Sequence, residues 1–303
     1  AQRRALASAD LSQPRFSTAA DDDWCHFPAV VKPVDGTASQ GVLRADNADE
    51  LRAAIEVTRE IADAAAEVIV EEFVPGLEVA VEGLLRNGSL EVRAVFDKPE
   101  TPTGPTFPET LLISPSRLDA ATVAAVVDLA SNACAAIGLS EGPVHVECKV
   151  EDGHVWFIEL APRTIGGLCS RSLRPGGIGL EELVLRHALG LETPDTGNIG
   201  ATGVLMLPVP THGVLDRVDG VDRARGVPAV TEVIITIGPG EEVWPLPHGN
   251  RYLGFVFARA SSPDAVETAL REAWSLVDAK ISASSSGSTD CFQPRGQSGP
   301  RPG

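Results

Sequence analysis

The chain has 303 residues, 43% of them apolar, enough for a real core and for two or three packed lobes. Its formal charge of −17 excludes a broad positive field, and with it a nucleic-acid partner or a polyanionic membrane surface. No run reaches the roughly 18 apolar residues of a membrane helix and no export signal is visible, while the five cysteines (Cys25, Cys134, Cys148, Cys169, Cys291) are scattered without a C-x-x-C, as in the reduced thiols of a cytoplasmic protein.

The chain starts at Ala1 and its single methionine is Met206, so a fragment or a processed chain is expected. Residues 3–9 read as helix, and Pro14 ends that element. FPAVVKPV (27–34) reads as a strand, followed by the turn-rich DGTASQG (35–41). Residues 47–66 predict a helix, with Asn47 as cap, Glu50 three residues on, and Leu51, Ile55 and Ile61 at helical spacing. EVIVEEF (67–73) predicts a strand, and residues 77–97 predict a hairpin turning at Asn87-Gly88. Strand, helix, strand and hairpin make a small α+β lobe. A Pro-rich loop (98–110), too long for a simple connector, leads to a helix over 119–137 and a second hairpin over 142–160 turning near Asp152-Gly153. Residues 179–190 form a helix closed by Gly190. Residues 201–280 read as three strands and a helix that starts near Ser262 or Asp264. Residues 283–303, rich in Ser, Gly and Pro, lack the apolar content to order themselves.

Several polar residues sit where a core strand ends. Lys32 closes an apolar strand before a glycine-bounded loop, and an ammonium beside exposed amides can hold phosphate oxygens. In VIVEEFVPGLEVAVEG (68–83), Glu71 and Glu72 interrupt a strand and Glu78 follows Gly76; such acids either edge a sheet or read a purine and a ribose. VWFIELAPRTIGG (155–167) ends a buried strand in Glu159, then Arg163 and Gly166-Gly167. With an odd-length turn near Asp152-Gly153, Glu147 and Glu159 share one face of their hairpin, and Mg²⁺ between them would relieve their repulsion. Arg163 suits a phosphoryl group or a carboxylate, and the glycines let backbone amides approach an anion. Cys169 reads as packed, and Ser170, Arg171 and Arg174 either line an acceptor pocket or are solvated. No Walker loop and no G-x-S-x-G elbow occurs.

The order FPAVVKP, VEEFVPGLEV, then an acid-bearing hairpin ending in IELAPR resembles the ATP-grasp superfamily over residues 1–280, and within it the carboxylate–amine ligases, including D-alanine–D-alanine ligase and the L-amino-acid ligases. The resemblance implies an α+β fold in which two lobes clasp a nucleotide, followed by a C-terminal α/β lobe. It divides the chain into a linker following a missing N-terminal domain (1–22), a small lobe (23–97), a large lobe with the metal site (98–200), a C-terminal lobe (201–280) and a tail (281–303). It implies ATP with Mg²⁺ or Mn²⁺. Lys32 matches the family's phosphate-contacting lysine, and 35–41, with Gly36, Ser39 and Gly41, its glycine-rich loop. Glu71, Phe73 and Val74 fall where adenine is contacted, the last two through backbone, and Glu78 where ribose is bound. Lys98 and Arg163 fall at the phosphates, and Glu147 and Glu159 at the metal. Ala161 replaces the asparagine of the family's E-x-N-x-R run, which removes one oxygen ligand; His145 is left unassigned. The implied partners are a small carboxylate and an amine, with a homodimer as assembly. Two alternatives stand beside this reading: an enzyme similar to biotin carboxylase or formate-activating members, and a nucleotide-binding fragment without catalysis, since the phosphate-contacting lysine before the linker is absent.

Overall fold

The computed structural model describes residues 1–18, 24–62, 67–102, 104–174, 177–194 and 200–283, and every strand pairing among the named strands is antiparallel. The expected tail begins too early, since Ile281 and Ser282 pair with Leu215 and Val214; its remainder from 284 and the helix end at 63–66 lie outside the described residues. Helix α1 (Gln2–Ser8) buries Leu6 completely and packs on helix α3 (Ala120–Ile137). A four-stranded sheet has the order β1 (Phe16–Thr18), β4 (Val68–Glu72), β2 (Ala29–Pro33), β3 (Leu43–Ala45). Helix α2 (Ala48–Ala62) covers it, setting Leu51 and Ala54 against Val31, Val68 and Val70. Its start is the reciprocal cap read from sequence: Asn47 Oδ1 accepts from the Glu50 N–H at 3.0 Å, and Glu50 Oε2 accepts from the Asp46 N–H at 2.8 Å.

The larger sheet has eight strands. Its centre is two hairpins, β5 (Leu77–Arg86) with β6 (Ser89–Lys98), and β8 (Gly142–Glu151) with β9 (His154–Ala161). Asn87-Gly88 turns with φ of 50° and 79°, and Asp152-Gly153 with 50° and 77°, the left-handed pairs that suit twisted strands. One face of this sheet meets α3, whose Val126, Ala130, Ala133 and Cys134 pack on Val79, Val81, Val146, Cys148 and Phe157. With 18 residues and a mean hydropathy of 1.6, α3 does have the length and apolarity of a short membrane span, contrary to the sequence expectation. It packs on the sheet by one face, that of Val126, Ala130, Ala133 and Cys134, and most of its residues are not buried.

The sheets redraw the expected lobes. Hairpin β5–β6, assigned from sequence to the small lobe, lies in the eight-stranded sheet, because β5 pairs with β8 along its length. The C-terminal stretch shares that sheet: β7 (Leu111–Ser114) pairs with β10 (Ala201–Leu207), then follow β14 (Gly254–Ala260) and β12 (Val230–Ile235). Strand β10 is buried on both faces and needs cover. Helix α6 (Pro263–Leu276) supplies it, capped by Ser262 and passing close over Gly203, where an added Cβ would lie 2.7 Å from Val266. A small sheet of β11 (Gly213–Asp219), β13 (Glu242–Val243) and β15 (Asp278–Ser282), and the short helix α5 (Val221–Arg225), bring this stretch to six strands and two helices among the described residues, where three strands and one helix were expected. Helix α4 (Leu180–Ala188) ends before Gly190, as expected.

Residues 1–18 are more than a linker. Besides α1 and β1, they run beside β9: Gln2 Nε2 donates to the Leu160 carbonyl at 2.5 Å, and the Phe157 N–H donates to the Ser12 carbonyl at 3.0 Å.

Candidate functional site

Alternation along β5 sends Val79 and Val81 toward α3, and therefore sends Glu78 and its same-face neighbours the other way. Strand register then fills this second face with charge. Glu78 pairs with Lys98 on β6 and with Lys149 on β8, Ala80 with Glu147, and Glu82 with His145. Lys98 is buried, and its Nζ donates to Glu78 at 2.6 Å, Glu109 at 2.6 Å and Glu147 at 2.7 Å. Burial alone would lower its pKa, but the carboxylates of Glu109, Glu147 and Glu78 hold it well above 10.5, so it is a permanent cation. Glu78, Glu109 and Glu147 each bring an oxygen within 4.8 Å of the others. Glu109 arrives from the Pro-rich loop.

His145 bonds Glu82 through Nδ1 and Glu147 through Nε2, the latter at 3.1 Å. Burial works against its charge, yet hydrogen bonds with Glu147 and Glu82 outweigh burial and push its pKa up to about 10. Both of its ring nitrogens are engaged by carboxylates, so neither stands free to replace the oxygen missing at Ala161, although the two are cross-strand partners.

Glu147 and Glu159 are paired across β8 and β9, as the same-face expectation required, but for a different reason. The Asp152-Gly153 turn has two residues and would align Glu147 with Ile158. A bulge makes the difference: Cys148 pairs with Phe157 and Glu147 with Glu159, leaving Ile158 as the extra residue. The Glu159 carboxylate is solvent-accessible and makes no hydrogen bond among the described residues. The dense walls around it and the charge of Glu147 raise its pKa, while Lys32, Lys98 and His145 pull the other way. Two neighbouring carboxylates, one of them accessible and strained by the other's charge, fit a hard divalent cation such as Mg²⁺.

Across from this face stands the end of the four-stranded sheet. Glu71 is buried, with Oε1 held by Arg3 Nε at 2.6 Å and Oε2 by Arg3 Nη2 at 2.8 Å and Lys32 Nζ at 2.7 Å. Burial would raise its pKa, but Lys32 and Arg3 bring it down to about 2. The Phe73 N–H is committed to the Pro28 carbonyl at 2.9 Å, and the Val74 carbonyl accepts from Lys149 Nζ at 3.0 Å. The Val74 N–H makes no hydrogen bond among the described residues. Lys149 and Arg44 both lie over the Phe73 ring, with Phe107 of the Pro-rich loop stacked beside it. That loop also joins β3, where the Arg44 N–H donates to the Pro105 carbonyl at 2.8 Å.

In loop 35–41, Ala38, Ser39 and Gly41 have left-handed φ of 55°, 55° and 70°. The Gly41 N–H donates to the Pro247 carbonyl at 2.9 Å and Gln40 Nε2 to the His248 carbonyl at 2.7 Å, so the C-terminal stretch holds this loop. At Gly36 an added Cβ would lie 2.7 Å from the Pro33 ring. Arg163 is exposed and bonds only the Thr164 carbonyl, at 2.8 Å, among the described residues; it stands apart from the Lys98 cluster. Cys169 is buried and its thiol is pushed up chiefly by burial, the mark of a packed cysteine. Ser170 and Arg171 are taken by Glu181 and Glu232. Sequence reasoning thus missed Arg3, Glu82, Glu109, the cationic role of His145, and Lys149.

Residues 25–172 match the ATP-grasp domain model, and residues 205–282 match the L-amino acid ligase C-terminal domain 2. The crystal structure of an L-amino acid ligase from Bacillus licheniformis superimposes with a TM-score of 0.79 at 27% identity, covering 93% of this chain and 72% of that one. An uncharacterized protein, y4rH, of Sinorhizobium fredii is 27% identical over 93% of this chain and 60% of its own length. A D-alanine–D-alanine ligase of Gloeobacter violaceus is 32% identical over 52% of this chain and 54% of its own. The chain therefore spans little more than half the length of these two curated relatives. With its charged sheet face, its glycine-rich loop and both domain matches in the expected order, the chain belongs to the ATP-grasp superfamily.

Proposed function

We propose that the chain is the ATP- and Mg²⁺-binding portion of a ligase that joins a carboxylate to an amine, with an amino-acid or dipeptide-like product. The observation that carries this reading is the in-register pair Glu147 and Glu159 on the face that also holds Lys98 and Glu78. On this reading the base rests on the backbone of Phe73 and Val74 near Glu71, where the Val74 N–H has no hydrogen-bond partner among the described residues. Glu78 takes ribose hydroxyls with the oxygen that does not bond Lys98. Lys32 and the amides at Gly36 and Ser39 hold phosphate oxygens, and Gly41 fixes the loop. Glu147 and Glu159 would hold Mg²⁺ or Mn²⁺, which when bound supplies charge neutralisation at the phosphates. Lys98 and Arg163 would offset charge on the transferred phosphoryl group. The substrate carboxylate attacks the γ-phosphorus and ADP leaves; the amine then attacks the acyl phosphate carbon and phosphate leaves. Phosphate departs far more readily than oxide, which is why the nucleotide is needed.

The test is ADP release from Mg-ATP by this chain, screened against pooled amino acids and other small carboxylates. Release that depends on both an acid and an amine is expected, and Glu159→Ala should lower it about a hundredfold or more while leaving the circular dichroism unchanged. Full turnover in that variant would remove Glu159 from the metal site. One observation favours a second reading, a nucleotide-binding module without turnover: Ala161 offers no oxygen where a further ligand is expected. Nucleotide binding with no ADP release under any pool would select it.

A further inference from the structure

The N-terminal helix carries one side chain that reaches both halves of the site. Arg3 is 7% exposed, and its guanidinium makes four hydrogen bonds that divide into two pairs. Nε and Nη2 grip the two oxygens of Glu71 at 2.6 and 2.8 Å. Nη1 and Nη2 also donate to the carbonyls of Phe157 at 3.2 Å and Ile158 at 2.8 Å. Those carbonyls belong to the bulge that brings Glu159 opposite Glu147. A bulge leaves its extra residue outside the ladder, and a backbone carbonyl without a partner is costly in a buried setting. Arg3 supplies that partner. Its plane also lies over the Phe157 ring, 5.5 Å from the centroid.

Resting on the nucleotide-and-metal reading above, we infer that Arg3 is a positioning residue, whose one guanidinium fixes Glu71 on the base side and, through the bulge at Ile158, Glu159 on the metal side. Charge alone does not account for this arrangement, because Lys32 already pairs with Glu71 at 2.7 Å. What a lysine cannot reproduce is the planar fork that holds a carboxylate and two carbonyls together. Arg3 therefore links base binding to metal binding without touching either ligand.

The test uses the full chain as wild type, Arg3→Lys and Arg3→Gln, with two readouts that require no turnover. A fluorescent ATP analogue is titrated without metal, and Mn²⁺ is titrated without nucleotide and followed by electron paramagnetic resonance. Arg3→Gln is expected to weaken both affinities about tenfold, the usual scale for loss of a group that orients a ligating residue. Arg3→Lys should recover most of the nucleotide affinity through the retained ion pair, while keeping the Mn²⁺ deficit. A folded Arg3→Lys with both affinities at wild-type values overturns the inference. So does equal loss of both in Arg3→Lys, which marks general damage instead of positioning. If Arg3→Gln does not fold, the split in Arg3→Lys decides alone. A wild-type chain that binds neither ligand overturns the nucleotide-and-metal reading itself, and that failure is visible before any substitution is made.

Discussion

Glu71 is the residue at which stability and site geometry meet. Its folded pKa of about 2 lies below the ordinary 4.5, so the folded chain holds this proton less tightly than the unfolded chain. The stabilisation is therefore fully present above pH 4.5 and is lost as pH falls from 4.5 through 2. A shift of that size corresponds to something on the order of 3 kcal/mol. In urea titrations Glu71→Gln should be clearly less stable than wild type at pH 7, and the gap should narrow as pH falls toward 3. A gap that stays constant over that range would show that the ion pairs with Arg3 and Lys32 do not set stability. The acids at 71, 78, 147 and 159 were legible in the sequence because a carboxylate inside or at the end of an apolar strand is unusual. Arg3 and Glu109 were not. Arg3 stands in a seven-residue helix, and its partners lie 68 and 154 residues away. Glu109 stands in an irregular loop, and its contact with Lys98 follows from chain tracing that no local pattern encodes.

At the scale of elements, turns and caps were readable because their chemistry is local: Asn87-Gly88, Asp152-Gly153 and the Asn47–Glu50 cap each occupy the predicted place. The bulge at Ile158 was not readable, since it is a property of pairing and leaves no mark in a single strand. The turn that leads into β5 gives an element-scale prediction. Gly76 has φ of 95°, and an added Cβ would lie 2.4 Å from the Val150 carbonyl oxygen at the end of β8. Gly88 has a similar φ of 79° but nothing within 4 Å of that position. Gly88→Ala should cost about 1 kcal/mol for the left-handed backbone, and Gly76→Ala should add roughly 1–3 kcal/mol for the collision. Equal midpoints in urea for the two variants would mean that the close approach of this turn to β8 relaxes without cost.

For the whole molecule, the α+β class and the order of elements were legible in the sequence, while the sharing of one eight-stranded sheet by distant segments was not. β7 and β10 are neighbours although some ninety residues separate them (Ile113 pairs with Gly203), and no period in either segment announces that pairing. The contacts of loop 35–41 with Pro247 and His248 are of the same kind. They tie loop 35–41 to the C-terminal stretch, some two hundred residues away.

β9 is the last of eight strands, and the chain's first dozen residues lie along it, with Gln2 on Leu160 and Ser12 on Phe157. That contact has a colloidal consequence. An outermost strand with bare amides and carbonyls is a template onto which another copy can add, and here the chain's own beginning occupies that place. Removing residues 1–12 should therefore produce light scattering that grows with protein concentration, at concentrations where the intact chain gives none. A truncated chain that stayed as clear as the intact one would show that the outer edge of β9 is protected by something else, such as its own charged side chains. Any fusion or tag placed at this end should be judged by the same measure, since it competes for the strip that keeps one copy from growing onto the next.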